Sequence, residues 1–353
     1  MLEKGKLADV LFLCTLDKMH YLQAIKAMEL GYDLLLEKPI SVNKQECEEI
    51  ARIANELDRK VVVCHVLRYT LFYKKIKELI EAGQIGDVVS IQAMEHVAYW
   101  HQAHSFVRGN WNNSNTTSPM ILQKCCHDMD IYLWLAGKKC SQVSSFGSLY
   151  YFKEENAPKG APSQCSEKCP EFENCIYNPW KFYYKEFEQG YQWPIDVLIP
   201  KHDKNLLDQA LKTGPYGRCI YKCDNNVVDH QVVILNLEDG STIDFQMTAF
   251  TADFNRTMTI MGTKGHIEAS LENKQINVFP FGKDKQIYNV SNSEDDAFSH
   301  SGGDLRLLQS FAKFMKTGQA DSSITTIDVS VASHLVALAA EQSRLAGGKV
   351  VKL

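Results

Sequence analysis

Two kinds of apolar run alternate through the first hundred residues. One kind is short and unbroken: residues 8–15, Leu34-Leu35-Leu36, and residues 60–65 with Val61-Val62-Val63-Cys64 inside them. Runs of this length, apolar at successive positions, predict parallel strands covered on both faces. The other kind is spaced in threes and fours over residues 21–30, 41–57 and 71–82, and predicts amphipathic helices. Gly31 is placed to end the first helix and Ser41 to cap the second. A β-α-β-α-β alternation implies a parallel sheet with right-handed crossovers.

From Val88 the pattern changes. Val89, Ile91 and Ala93 alternate with Ser90 and Gln92, the period of a half-exposed strand. Residues 231–237 and 242–250 alternate in the same way, and 257–262 with 265–268 read as a hairpin. The expected fold class is therefore α/β. A partial Rossmann-type parallel sheet domain (1–95) is followed by an α+β domain with a large, mostly antiparallel sheet (96–330). The last stretch, 331–353, is rich in alanine and leucine and is expected to be a helix packing back on the first domain. Between the sheets, residues 99–118 read as a polar loop carrying His101, His104, Arg108, Asn110 and Trp111. Residues 120–135 read as one helix that sets Gln123, His127 and Asp130 on neighbouring turns.

Composition narrows the function without naming it. The chain has 353 residues, 45% hydrophobic and 23% charged, with a net charge of −5. That charge gives no electrostatic footing for nucleic acid or an anionic membrane, and no apolar run is long enough to span a bilayer. The N-terminus has no signal-peptide core, so the expected location is cytoplasmic, where the 11 cysteines stay reduced.

Candidate chemistry begins at Glu37-Lys38-Pro39. These residues follow a buried strand and so fall at the carboxyl edge of the sheet, where α/β proteins place ligands. A lysine partly desolvated there is an acid/base candidate, since burial lowers an ammonium pKa. The Lys38–Pro39 peptide is expected to be cis. His127, beside Asp128 and Asp130 on an otherwise apolar helix, is the second candidate.

Thr15 and His20 around the first turn, then Glu37-Lys38-Pro39 and His127-Asp128, resemble the Gfo/Idh/MocA oxidoreductases, relatives of glucose–fructose oxidoreductase and inositol dehydrogenase. Gly83-Gln84-Ile85-Gly86 is similar to that family's turn into the second domain. The likeness runs along the whole chain and lacks only the family's N-terminal β-α-β with its glycine motif. The glycines before residue 84 are Gly5, Gly31 and Gly83, so a dinucleotide domain entered partway is expected. The resemblance implies an NAD- or NADP-dependent enzyme that transfers hydride from a CH–OH group of a sugar, cyclitol or related polyol. The alternatives are a glycoside-cleaving member that returns the hydride, or a non-catalytic fragment. It implies catalytic roles for Lys38, His127 and Asp128, and cofactor contacts at Thr15, Leu16, His20, Glu37, Lys38 and Arg68. Arg108, Trp111, Lys124 and His230 are the substrate candidates. The aspartate that many members carry four residues before the histidine is Gln123 here, which cannot relay a proton. The family's large sheet packs against another subunit, so a homo-oligomer is expected.

Residues 154–180 form a cysteine-rich insertion that the family likeness does not explain. Cys165, Cys169 and Cys175 lie in a polar stretch too poor in apolar residues to be core. Cys219 or Cys223 could supply a fourth thiolate, with Cys219 the first choice. Four thiolates suit a structural zinc, with an iron–sulfur cluster the second option.

Overall fold

The computed structural model describes residues 2–190, 192–290 and 300–353. Two sheets organise it. The first is parallel, in the order β1 (Val10–Leu13), β2 (Asp33–Leu36), β3 (Val61–Val63). Helices α1 (His20–Glu29) and α2 (Lys44–Glu56) make the crossovers. Leu34, Leu36, Val61 and Val63 pack with Ala24, Met28, Cys47 and Ile50, so the strands are apolar because helices and sheet share one core. β1 departs from expectation. It is an edge strand, and Phe12 is 54% exposed, resting edge-on against Phe311. Its apolar run resembles that of a central strand, but β2 is its sole partner among the described residues.

Helix α2 is capped by Asn43, whose Oδ1 accepts from Glu46 N at 3.2 Å. Ser41, the expected cap, instead donates its hydroxyl to the Glu46 carboxylate. A third helix, α3 (Leu71–Glu81), leads to the second sheet. Among the described residues this has nine strands, in the order β11 (Gln286–Asn289), β10 (Gln275–Pro280), β9 (Gly265–Ser270), β8 (Asn255–Gly262), β4 (Val88–His96), β7 (Thr242–Thr248), β6 (His230–Leu237), β5 (Cys140–Ser148), β12 (Val351–Lys352). Its first strand in sequence is β4, near the middle, so the second domain begins ahead of the expected boundary at 95/96. All pairs are antiparallel except β4 with β7. Ile91, Ala93, Leu235, Ile243, Phe245 and Ile260 line the buried face beneath the Cys126–Ala136 helix. Gln92, Asp244, Gln246, Thr259 and Glu268 line an open polar face.

Two further expectations change. Residues 99–118 are not a simple loop: Tyr99–His101 is a helical turn and Gln102–Arg108 a π-helix with all seven residues buried. Residues 120–135 are not one helix but a single turn, Met120–Gln123, and the Cys126–Ala136 helix. The C-terminal helix, Ile327–Leu345, begins earlier than expected and packs against both domains, through Ile327 on one side and Val336, Ala337 and Ala340 on the other. The short strand β12 (Val351–Lys352) then pairs with β5. No helix among the described residues is long and apolar enough to cross a membrane.

Candidate active site

The carboxyl edge of the parallel sheet presents three segments side by side: the turn after β1, Glu37-Lys38-Pro39 after β2, and His65 after β3. His20 fastens the first two. Its Nδ1 lies 2.8 Å from Pro39 O and its Nε2 2.8 Å from Thr15 O. Its two nitrogens are thus spent on backbone, so it positions the edge rather than touching a cofactor itself. Thr15 and Leu16 remain exposed on the rim. The Lys38–Pro39 peptide is cis, as expected.

Lys38 reaches across to the second domain. The break after Gln123 leaves the Gln123 carbonyl outside the Cys126–Ala136 helix, and Lys38 Nζ donates to it at 3.2 Å. His127 begins the next turn and feels the Lys38 charge. The two residues on which the reading depends therefore meet at one domain junction. Burial, reinforced by Lys38, His65 and His300, holds the His127 imidazole well below its ordinary pKa. A neutral imidazole is a proton acceptor, and its Nδ1 is buried with no partner among the described residues.

Gln123 is held by its neighbours. Its side-chain oxygen accepts from Trp111 Nε1 at 2.9 Å, while its nitrogen donates to Ser118 Oγ at 2.7 Å and Asp17 Oδ2 at 3.1 Å. Ser118 Oγ in turn donates to Asp17 at 2.5 Å. Trp111 and Lys38 thus share Gln123 as a partner, one at its side chain and the other at its carbonyl. A carboxylate, Asp17, lies where Gln123 has none to offer.

Two histidines missed in the sequence complete the group. His65 is buried, neither ring nitrogen has a hydrogen bond among the described residues, and Nε2 lies 3.9 Å from Asp130 Oδ1; its ring is 5.8 Å from that of His127 and 5.3 Å from that of His334. Burial, then Arg68 and Lys38, holds its pKa well below the ordinary value. His334 on the C-terminal helix accepts from Ile40 N at 2.9 Å and is held down to about 3 by burial and His65. The position of His65 at the end of β3, level with Lys38 at the end of β2, was the available signal. His300, at the start of the Gly303–Thr317 helix, comes within 6.3 Å of the His127 ring and contacts Asp304 at 2.9 Å.

Other expected residues lie elsewhere. Asp128 faces away from Lys38 into a buried charge cluster: Arg256 Nε is 2.8 Å from Asp128 Oδ1 and 2.8 Å from Glu95 Oε2. Lys124, a substrate candidate, pairs with Glu95 at 3.3 Å. Arg68, expected beside the nicotinamide, is committed to Asp130 by two hydrogen bonds of 2.6 and 2.7 Å and lies 5.4 Å from the Trp134 ring. That bidentate pair ties the segment after β3 to the Cys126–Ala136 helix. Arg108 gives its hydrogen bonds to the Arg218 and Tyr177 carbonyls among the cysteines, and His230 pairs with Asp229 at 2.9 Å.

Taken together, a parallel dinucleotide-type sheet, a lysine and a buried neutral imidazole meeting at its carboxyl edge, and a large antiparallel sheet define a two-domain class shared by oxidoreductases. Residues 1–65 match the NAD-binding Rossmann fold of the Gfo/Idh/MocA oxidoreductases and residues 77–351 match that family's C-terminal alpha/beta domain. The chain belongs to the Gfo/Idh/MocA oxidoreductase family. It is 24% identical over 324 residues to the presumed oxidoreductase YteT of Bacillus subtilis, covering 85% of this chain and 71% of YteT. It is 24% identical over 136 residues to inositol 2-dehydrogenase of Corynebacterium glutamicum, 38% of this chain and 37% of that enzyme. Its fold matches an Agrobacterium radiobacter oxidoreductase solved with NAD+, L-tartaric acid and magnesium. That match has a TM-score of 0.69 and 13% identity, and covers 100% of this chain and 82% of the other.

The residues present suit the nicotinamide end of such a cofactor. Thr15, Leu16, Glu37 and Lys38 form an open rim, and the ring nitrogens of His65 and His127 that lack a hydrogen bond among the described residues lie behind it. The turn from Thr15 to His20 contains no glycine, so a pyrophosphate cradle is not part of this rim.

Proposed function

We propose that the chain binds NAD or NADP and oxidises a CH–OH group of a sugar, cyclitol or related polyol, with Lys38 and His127 handling the hydroxyl proton. The observation that supports this most directly is the meeting of an ammonium and a neutral buried imidazole at one domain junction, tied by Lys38 Nζ to Gln123 O. The dinucleotide, when bound, supplies the hydride acceptor. Lys38 orients the substrate hydroxyl and stabilises negative charge on its oxygen, and His127 accepts the proton as a general base. Trp111 offers an apolar face to the ring, positioned through Gln123. Asp128 serves the charge cluster and stands outside the chemistry.

The test follows nicotinamide absorbance with each dinucleotide over a panel of cyclitols, aldoses and sugar acids, comparing the parent chain with Lys38→Ala and His127→Ala. Loss of turnover by about 10²-fold or more in each is expected. Unchanged turnover in Lys38→Ala would overturn the assignment. A parent that neither turns over nor binds dinucleotide would favour the non-catalytic alternative. A cytoplasmic homo-oligomer joined through the open sheet face belongs to the same proposal, and light scattering that returned a monomer mass would remove that part.

A further inference from the structure

The cysteine-rich insertion is unused by the proposed chemistry, and the fold gathers it around one point. Residues 163–165 and 217–219 pair as a short antiparallel bridge: Cys165 N donates to Gly217 O and Cys219 N to Ser163 O, each at 2.8 Å. With Gln164 opposite Arg218, that bridge puts Cys165 and Cys219 on one face, diagonally across from each other, although they are far apart in sequence. Two successive turns, with Phe172 N to Cys169 O at 3.0 Å and Cys175 N to Glu171 O at 2.8 Å, fold Cys169 and Cys175 back over the same spot. The four side chains line a small, partly enclosed void of about 20 Å³, with Phe172, Tyr177, Ile220 and Tyr221 around it. Cys223 is not on that wall; its thiol donates to Cys219 O at 3.3 Å. None of the four is in a disulfide.

A second observation is independent of the thiols. Arg108 also lines this void, is only 4% exposed, and has no carboxylate partner among the described residues. Its hydrogen bonds run to two neutral carbonyls, Arg218 O at 2.8 Å and Tyr177 O at 2.7 Å. A buried guanidinium without a counter-charge is costly. The groups on this void that can carry negative charge are the four cysteines and Glu171, which makes no ion pair with Arg108 among the described residues. The nearby Asp224 carboxylate is already paired, with Arg218.

We propose that Cys165, Cys169, Cys175 and Cys219 bind a single thiophilic divalent cation, zinc in the cell, as a tetrathiolate site whose negative charge Arg108 offsets. On binding, four thiols release four protons and four S–Zn bonds form, leaving a centre of net charge −2; nothing is oxidised or reduced. A void of this size admits about one water-sized atom, which fits one ion and not a cubane cluster. Among the described residues no three or more His, Cys, Asp or Glu side chains stand at ligand spacing, so the thiols must close on the ion from the void's wall. Residues 166–175 are turns, the backbone best able to make that small movement. The site would staple residues 163–175 to the small apolar cluster of Phe152, Tyr177, Ile220 and Tyr221 beside it.

The experiment is metal analysis of the whole chain, purified under reducing conditions with neither chelator nor added zinc. The expected content is about one zinc per chain, with four of the 11 thiols shielded from a thiol reagent until a chelator is added. Cobalt reconstitution should give the intense visible bands of a tetrahedral thiolate complex. Cys169→Ser should lose the metal, whereas Cys140→Ser, outside the cluster, should keep it. Because a cysteine variant can fail to fold, Arg108→Gln supplies a second arm, with zinc affinity expected to fall by about 10- to 100-fold. Metal-free protein whose four thiols react freely would overturn the proposal. So would zinc that persists in folded Cys169→Ser, or iron with acid-labile sulfide in place of zinc.

Discussion

Arg256→Met tests whether the cluster beneath the site holds the second domain together. Arg256 sits between Glu95 and Asp128, each 1% exposed, with Nε 2.8 Å from an oxygen of both. The hydrogen bond itself goes to Asp128 Oδ1, while Glu95 Oε2 is an electrostatic neighbour without one. With charge centres roughly 4 Å apart and an effective dielectric of about 20, each pairing is worth about 4 kcal/mol. Removing the guanidinium also removes its own desolvation cost, which is several kcal/mol, so the net loss comes to about 3–5 kcal/mol. For a domain of this size that is a fall in Tm of about 6 to 15 °C. The pH dependence supplies a sharper test. Burial raises the Glu95 pKa in the parent, with Asp128 adding to it and Arg256 opposing it. Without Arg256 it rises further, so the folded variant takes up a proton that the unfolded chain, titrating near 4.5, does not. Stability then falls as pH rises through the folded pKa. The Tm deficit measured by calorimetry at fixed scan rate should be larger at pH 8 than at pH 5, and Asp128→Asn added to Arg256→Met should restore part of it. A variant melting within about 2 °C of the parent at both pH values would refute the reasoning.

Other expectations follow from single contacts. Because burial and Lys38 keep His127 neutral, the acid limb of kcat/KM should lie below pH 6.5, and an acid limb at pH 7 or above would exclude His127 as the base. A Cβ on Gly303 would stand 2.6 Å from Val66 O, so Gly303→Ala should cost about 1–3 kcal/mol in a melt and slow turnover by displacing His300. Asp130→Ala leaves the buried Arg68 unpaired and should cost about 3–5 kcal/mol by urea titration, an effect that Arg68→Met in the same chain should relieve.

What the sequence disclosed was local. Leu34 to Leu36 and Val61 to Val63 were readable as covered strands because every residue in them meets core, and Glu37-Lys38-Pro39 was readable from its place at a strand end. β1 has the same composition, and nothing inside it says that one side lacks a neighbour. The π-helix reads in sequence as part of a polar loop because Gln102, His104, Ser105 and Arg108 are polar. Their partners come from far along the chain: Tyr183 for His104 at 2.7 Å, and the carbonyls of Tyr177 and Arg218 for Arg108. The same blindness hid His65 and the pairing of Arg68 with Asp130, which lie 62 residues apart. Periodicity reports which side of an element is buried; it does not report what a buried polar group meets there.

The C-terminal helix touches both sides of the junction. Its His334 receives Ile40 N next to Lys38, and its Val336 and Ala337 share the core that carries His127. The spacing between amine and imidazole is thus governed by a third body that contributes no reacting atom. Under the proposed chemistry, substitutions along that rod would shift Lys38 against His127 while leaving both side chains untouched, so screens confined to the rim would overlook them.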